Sequence, residues 1–199
     1  MCDAPDPTIP AFRRAAMTVA ALNLAYFFVE FAVALSIGSV SLLADSIDFL
    51  EDASVNGLIV LALAWSARAR ARVGMLLAVL LLVPAVAALW AAWSKVSSGV
   101  PAAPLPLTVT GLGALAVNVF CAFLLAKHRH RECSLSKGAF LSARNDAVAN
   151  IGIIIAGGLT YVLRSIWPDL IVGVGIAIMN AGAAKEVFEA ARGEHRIEA

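Results

Sequence analysis

Charged residues are scarce in this chain. Only 15% of its 199 residues are Asp, Glu, Lys or Arg, whereas 61% are hydrophobic and the mean hydropathy is +0.86. Soluble domains carry about 25% charged residues, so this composition excludes an ordinary soluble protein. We expect an integral membrane protein in contact with the lipid bilayer. The net charge of +1 gives no sign of a nucleic-acid partner, and we expect none.

Cysteine and catalytic motifs are also scarce. Cys2, Cys121 and Cys133 are far apart and form neither a disulfide framework nor a Cys-x-x-Cys metal motif. The chain has no nucleophile with a matching base and no glycine-rich loop that could cradle a phosphate. We therefore expect no enzyme activity and no tightly bound cofactor. The N-terminus lacks the basic, then apolar, order of a signal peptide.

Long hydrophobic runs are abundant. Each of six segments is near the roughly 20 residues that cross a hydrocarbon core. They are Ala15–Ile37, Leu42–Trp65, Val73–Trp93, Leu107–Ala126, Gly138–Leu163 and Leu170–Ala184. The pattern predicts an all-α fold, an integral membrane bundle of six transmembrane helices over residues 15–184. A short N-terminal lead, 1–14, and a short helical tail, 185–199, complete the predicted organisation.

The basic residues indicate an orientation. Arginines and lysines cluster before the first span, after the sixth and in alternate loops, and the intervening loops hold only Lys95 and Arg164. The positive-inside rule therefore places both termini in the cytoplasm, and we expect a plasma (inner) membrane location. His128 and His130 lie in a basic loop, which we interpret as solvated, with transient metal binding as the alternative.

Acidic residues interrupt the second span. Successive helical residues are about 100° apart, so Asp45, Asp48, Asp52 and Asn56 share a face about 80° wide, with Glu51 at its edge. A carboxylate at the bilayer centre costs roughly 2.5–3.5 kcal/mol, so this stripe must face protein or water. We interpret Asp48 and Asp52 as half of a cation site. Asp45 stands near the start of the span and is a candidate helix cap.

The fifth span repeats this pattern. Ser142 and Asn150 lie about 40° to either side of Asp146, and Asn145 lies about 100° away. Carboxylate, amide and hydroxyl oxygens suit hard or borderline divalent cations. Buried carboxylates can also exchange a bound metal for protons, so metal/proton exchange is one prediction.

Other polar residues lie in the spans as well. Asn23 and Glu30 form a third polar face in the first span, and Glu30 has two candidate partners, Arg144 and a tyrosine hydroxyl. An intramembrane aspartyl protease is a rival interpretation, because two buried acids on different helices can share a proton. The Gly-x-Gly-Asp element and Tyr-Asp pair expected of such a protease are absent from the sequence.

Two segments resemble the cation diffusion facilitator family. Residues 38–52 are similar to its second helix, which reads Ser-x-x-Leu-Leu-Ala-Asp-x-x-His-x-x-x-Asp in zinc members. The resemblance implies that Asp48 and Asp52 occupy ligand positions and that Asp45 is not a ligand. Residues 145–154 are similar to the fifth helix, where Asp146 matches a ligand and Ser142 replaces the family's histidine.

The resemblance implies a function. We expect a divalent metal exporter (Zn, Co, Cd, Fe(II) or Mn) that works by metal/proton antiport and alternating access. Its ligands would be Asp48, Asp52 and Asp146, with Asn150, Asn145 and Ser142 as candidates for the fourth position. The family's usual C-terminal cytoplasmic domain is not expected, so we expect a homodimer formed through membrane helices. The alternative is a non-transporting metal-binding paralogue or sensor subunit.

Overall fold

The computed structural model describes residues 9–62, 86, 88–126 and 134–179, with side chains at 11–58, 60, 86, 88–126 and 146–179. The helices are α1 (Ile9–Ile37), α2 (Val40–Ala62), α3 (88–98), α4 (Pro104–Ala126), α5 (Ser134–Leu163) and α6 (Trp167–Met179). No strand occurs in this part of the chain. The prediction of an all-α bundle of six helices is confirmed.

Three of the helices contain stretches long and apolar enough to cross a membrane. These stretches are Ala11–Ile37, Pro104–Ala126 and Asp146–Leu163, and α6 is a shorter apolar helix. The predicted spans that end at Trp93 and begin at Leu107 leave a loop over 94–106, and the loop observed is shorter, because α3 continues to residue 98 and α4 begins at Pro104. Most of the third predicted span, the His128/His130 loop and the tail at 185–199 lie outside the described residues.

A tight turn joins α1 to α2. Gly38 adopts φ 62°, a left-handed conformation that favours glycine. The Ser39 amide donates to the Ala34 carbonyl at 3.0 Å, which closes the Schellman motif that commonly ends a helix. With so short a connection, α1 and α2 form an antiparallel hairpin.

Glycines bring the other helices close together. Gly111 of α4 faces Ile153 of α5, and a Cβ at Gly157 would meet Thr108, so α4 and α5 are antiparallel. Gly173 of α6 lies against the backbone of Val40 at the start of α2. Because α6 begins only three residues after α5 ends, the end of α5 and the start of α2 share one end of the bundle. Hence α2 and α5 also run antiparallel.

The core and the outer surface are both apolar. Large side chains fill the interior, among them Leu42, Phe49, Leu107 and Ile153. Large side chains also cover the exterior, where Phe28, Trp90, Trp93, Leu105 and Tyr161 are exposed. Water would disfavour such an exterior, but lipid tails are as apolar as these side chains.

Candidate metal centre

The acidic stripe of α2 faces protein. Asp45 is fully buried, Asp52 and Asn56 are buried and Asp48 is half-buried. The helical spacing that groups these residues on one face therefore agrees with the packing of the bundle. Burial of three acids on one helix is costly unless a partner or a bound cation compensates them.

Asp146 of α5 lies opposite this stripe. Its carboxyl is within side-chain hydrogen-bonding reach of Asp52, and it is close enough to Asp48 for the two carboxyls to interact electrostatically. The fold thus brings Asp146 of α5 to two acids of the antiparallel helix α2, although Asp146 follows Asp52 by 94 positions in the chain (146 − 52). Asp48, Asp52 and Asp146 form what we call the acid centre.

The side chains of the acid centre are not arranged as a metal coordination shell. Within the described ranges, no three Asp, Glu, His or Cys side chains converge closely enough to hold an ion as they stand. Like charges repel one another, and an opposite charge between them favours their ionised forms. A cation entering the acid centre would therefore have to draw the carboxylates inward.

An asparagine follows one turn after each of the two interacting acids. Asn150 Nδ2 donates to the Asp146 carbonyl, and Asn56 Nδ2 donates to the Asp52 carbonyl, both at 2.9 Å. Both side chains are buried, and Oδ1 of each has no hydrogen-bond partner among the residues that the structure describes. Asn150 is a ligand candidate from the sequence. The sequence places Asn56 in the stripe without identifying it as a ligand candidate, although its position one turn after Asp52 is the available signal.

The other two predicted ligand candidates are placed only through the backbone. Ser142 stands one turn before Asp146 in α5, and Asn145 immediately precedes that residue. Their side chains lie outside the described residues.

Glu30 does not pair with a tyrosine. The Tyr26 hydroxyl donates instead to the Thr110 carbonyl at 2.7 Å, and both carboxylate oxygens of Glu30 lack a hydrogen-bond partner. The carboxyl of Asp45 lies close to Glu30, is likewise fully buried and makes no hydrogen bond of ordinary geometry within the described residues. The tyrosine alternative is therefore wrong, and the side chain of Arg144 lies outside the described part of the chain.

Asp45 does not cap α2. The cap is Ser39, whose hydroxyl accepts a hydrogen bond from the Leu42 amide at 3.2 Å. Asp169 of α6 adds its carboxylate from outside the helix and accepts from the Val40 amide at 3.0 Å and the Ser41 amide at 3.1 Å. The first amides of α2 are satisfied before the chain reaches Asp45, so the capping prediction is wrong.

Asp169 is also half of a buried ion pair. Lys95 Nζ lies 2.8 Å from Asp169 Oδ2, and the lysine also donates to the Gly38 carbonyl. The hydroxyls of Ser39 and Ser41 donate to Asp169 Oδ1. This network joins the α1–α2 turn to the end of α3 and the start of α6. We call this side of the bundle the ion-pair end.

The ion pair perturbs the pKa of Asp169, which precedes the predicted sixth span. Burial alone would raise this pKa, but the Lys95 ammonium and the hydrogen bonds from Lys95, Ser41 and Ser39 lower it more strongly. The net result is a pKa below the ordinary value of 3.8, so Asp169 is ionised at neutral pH. The sequence places Lys95 in a loop and does not indicate this pair.

One comparison with known proteins identifies a family. The family model described as the cation efflux transmembrane domain matches residues 16–192, which is most of the chain. A comparison with curated proteins finds no match. The match covers both acid-bearing helices and confirms the resemblance to cation diffusion facilitators. The chain therefore belongs to the cation efflux family of membrane-embedded metal cation transporters.

Proposed function

We propose that this family member exports a divalent transition metal from the cytoplasm in exchange for protons. The candidate cargoes are Zn, Co, Cd, Fe(II) and Mn, and the mechanism is alternating access without a nucleotide. The observation that carries the proposal is the approach of Asp146 on α5 to Asp52 and Asp48 on α2. Acids from two helices give a cation a site that depends on how those helices are placed, which is what a transporter needs.

The proposed ligands are the three carboxylates of the acid centre. Asn150, Asn145 and Ser142 remain the candidates for a further position, and the geometry favours Asn150. Its Oδ1 is buried without a hydrogen-bond partner, one turn from Asp146. The absence of histidine from both usual family positions favours oxygen-preferring ions over strict zinc selectivity.

Proton exchange follows from the same chemistry. Carboxylates must be deprotonated to bind a metal, and buried carboxylates that lose a metal take up protons in its place. Metal leaving the acid centre on one side of the membrane would therefore be replaced by protons from that side. An ion gradient then supplies the energy for export.

The basic residues support one orientation. Lys95 and Arg164 both lie at the ion-pair end, whereas Arg13 and Arg14 lie near the start of α1, at the opposite end. The positive-inside rule then puts the ion-pair end outside and both termini in the cytoplasm. A plasma membrane location and a homodimer formed through membrane helices are part of the same proposal. Cross-linking in native membranes tests the dimer.

Proteoliposomes containing the full chain test this function. Vesicles carry a metal-sensitive dye together with a pH dye, and each candidate ion is added outside in turn. We expect uptake of at least one ion coupled to opposite proton movement, and loss of both signals in Asp52→Ala. Glu51→Gln is the matched control, because it removes a neighbouring acid at the edge of the stripe.

Three results would change the proposal. If wild type and Asp52→Ala move all the ions equally poorly, the exporter proposal is wrong. Metal binding without flux would favour the non-transporting paralogue or sensor. Metal movement without proton movement would exclude proton antiport but leave metal export in place.

The cation efflux family consists of transporters rather than enzymes, so the protease interpretation has no further support.

A further inference from the structure

We infer that Asn56 and Asn150 supply amide-oxygen ligands from either side of the acid centre and make it an all-oxygen site. The substrate class of such a site is a hard to borderline divalent cation, for which Mn²⁺ is the probe. This inference rests on the proposed function and extends it to two residues and to ion selectivity.

The same short local structure occurs in both helices. Asp52 and Asn56 on α2, and Asp146 and Asn150 on α5, form two Asp-x-x-x-Asn units in facing helices. In each unit, the asparagine amide nitrogen donates to the backbone carbonyl of its own aspartate at 2.9 Å. The same device occurs on both sides of the acid centre.

These hydrogen bonds fix the direction of the amide oxygens. A backbone carbonyl can only accept a hydrogen bond, so the NH₂ group of each asparagine must face it and the oxygen must point elsewhere. Both oxygens are buried, and neither has a hydrogen-bond partner in the described part of the chain. Native proteins seldom leave a buried amide oxygen unsatisfied, and each exception calls for an explanation. A cation held by the adjacent acids would satisfy both oxygens.

The positions of the two asparagines along the helix axes also bear on the site. Helical side chains tilt toward the helix N-terminus, which brings Asn56 toward Asp52 and Asn150 toward Asp146. Because α2 and α5 are antiparallel, the turn that follows Asp52 in α2 is level with the turn that precedes Asp146 in α5. Asn56 belongs to the first of these turns and Ser142 to the second. Asn56 is therefore placed to supply an oxygen at the level where α5 carries serine instead of histidine.

The resulting ligand set determines the ion class. Three carboxylates and two amide carbonyls offer at least five oxygens, and water can complete six. Octahedral oxygen coordination suits Mg²⁺, Ca²⁺ and Mn²⁺, whereas tetrahedral nitrogen and sulfur ligands suit Zn²⁺. The amide oxygens should therefore contribute more to Mn²⁺ binding than to Zn²⁺ binding.

Binding measurements on the purified full chain in nanodiscs test the inference. Electron paramagnetic resonance measures free Mn²⁺ directly, and Zn²⁺ is measured by competition. We expect Asn56→Leu and Asn150→Leu each to weaken Mn²⁺ binding by about 10- to 100-fold, the usual effect of losing a metal-supporting residue, with a smaller effect on Zn²⁺. Asn56→Asp keeps an oxygen at this position and is expected to bind Mn²⁺ at least as tightly as wild type.

Thr160→Val is the matched control. Thr160 is also buried on α5 and its hydroxyl also lacks a partner, but it lies about 21 Å along the helix from Asp146. We expect this variant to bind Mn²⁺ like wild type. If it weakens binding as much as Asn56→Leu does, the effect is general destabilisation and the inference is overturned.

The variant Asp52→Ala distinguishes failure of the amide-ligand inference from failure of the proposed function. If Asn56→Leu and Asn150→Leu bind Mn²⁺ like wild type while Asp52→Ala does not, the amide ligands are wrong and the acid centre stands. If Asp52→Ala also keeps full binding, the proposed function itself fails. Should Asn56→Leu not fold, Asn56→Ser replaces it, and wild-type Mn²⁺ affinity in that variant also overturns the inference.

Discussion

Lys95 and Asp169 form a buried ion pair with 2.8 Å between Nζ and Oδ2, and their side chains are only 3% and 0% exposed. The lysine comes from the end of α3 and the aspartate from the start of α6. Through the two serines and two backbone amides that also bind Asp169, the pair holds the start of α2 as well. Three helices therefore depend on one carboxylate.

Lys95→Met should destabilise the protein strongly. Removing one partner of a buried ion pair leaves the other charge uncompensated, which typically costs about 3–5 kcal/mol. We expect a lower melting temperature in detergent for Lys95→Met, and for Asp169→Asn, which also weakens the cap of α2. The double variant should lose less than the sum of the two single losses. Strict additivity would show that the two groups do not interact.

Stability should fall in acid through Asp169. Its pKa in the folded protein is below the ordinary value of 3.8, so its contribution is complete above that value and is lost as pH falls toward the folded pKa. Melting temperatures measured from pH 7 to pH 3 should therefore decline below about pH 4. In Asp169→Asn the decline should be shallower. Parallel curves for the two proteins would contradict the assignment.

Gly173→Ala should disrupt the contact between α6 and α2. An added Cβ would lie 2.6 Å from the Val40 carbonyl carbon and 2.7 Å from the Ser41 amide nitrogen, and backbone cannot easily move aside. Overpacking of this kind costs about 1–3 kcal/mol, measurable by thermal melting. Gly175→Ala is the control, because a Cβ there meets nothing within 4 Å. It should be neutral or stabilising, since alanine favours a helix by up to about 1 kcal/mol. Equal losses in both variants would argue against the contact.

Glu30→Gln should stabilise the protein at neutral pH. Glu30 and Asp45 are fully buried neighbours, and neither carboxyl makes a hydrogen bond of ordinary geometry within the described ranges. A buried carboxyl must either keep its charge away from water or take up a proton, and both cost free energy. A neutral side chain of the same shape avoids this cost, which we expect to be on the order of 1 kcal/mol. Glu51→Gln, at a half-buried position, should change the melting temperature less. A decrease for Glu30→Gln would show that its charge has a stabilising partner.

The acid stripe was predictable because it is a local property. Helical periodicity alone puts Asp48 and Asp52 on one face, and the cost of a charge in lipid requires that face to be covered. The approach of Asp146 was predictable only through the family resemblance, since periodicity within one helix does not specify which other helix packs against it. The six-helix architecture followed from the lengths of the apolar runs.

The ion-pair end was not predictable in the same way. Lys95 and Asp169 are 74 positions apart (169 − 95), and neither belongs to a periodic pattern. Counting basic residues places Lys95 outside the membrane but does not indicate burial. The error at Asp45 has the same origin, because the amides of α2 are capped by Ser39 and by a carboxylate from a distant helix. Tertiary contacts satisfy these amides, whereas the sequence suggested a cap by Asp45 of the same helix.

Under the alternating-access mechanism proposed above, the ion-pair end would also bias the balance between access states. Separating α6 from α2 and α3 there would break an ion pair and several buried hydrogen bonds, so the ion-free protein should populate mainly the state closed at that end. A ligand shifts such an equilibrium only by binding one state more tightly than the other. Reversing a 1:99 population to 99:1 requires about a 10⁴-fold difference in affinity. Weakening the Lys95–Asp169 pair would lower that requirement, so the pair sets how tightly cargo must bind before the bundle can reopen.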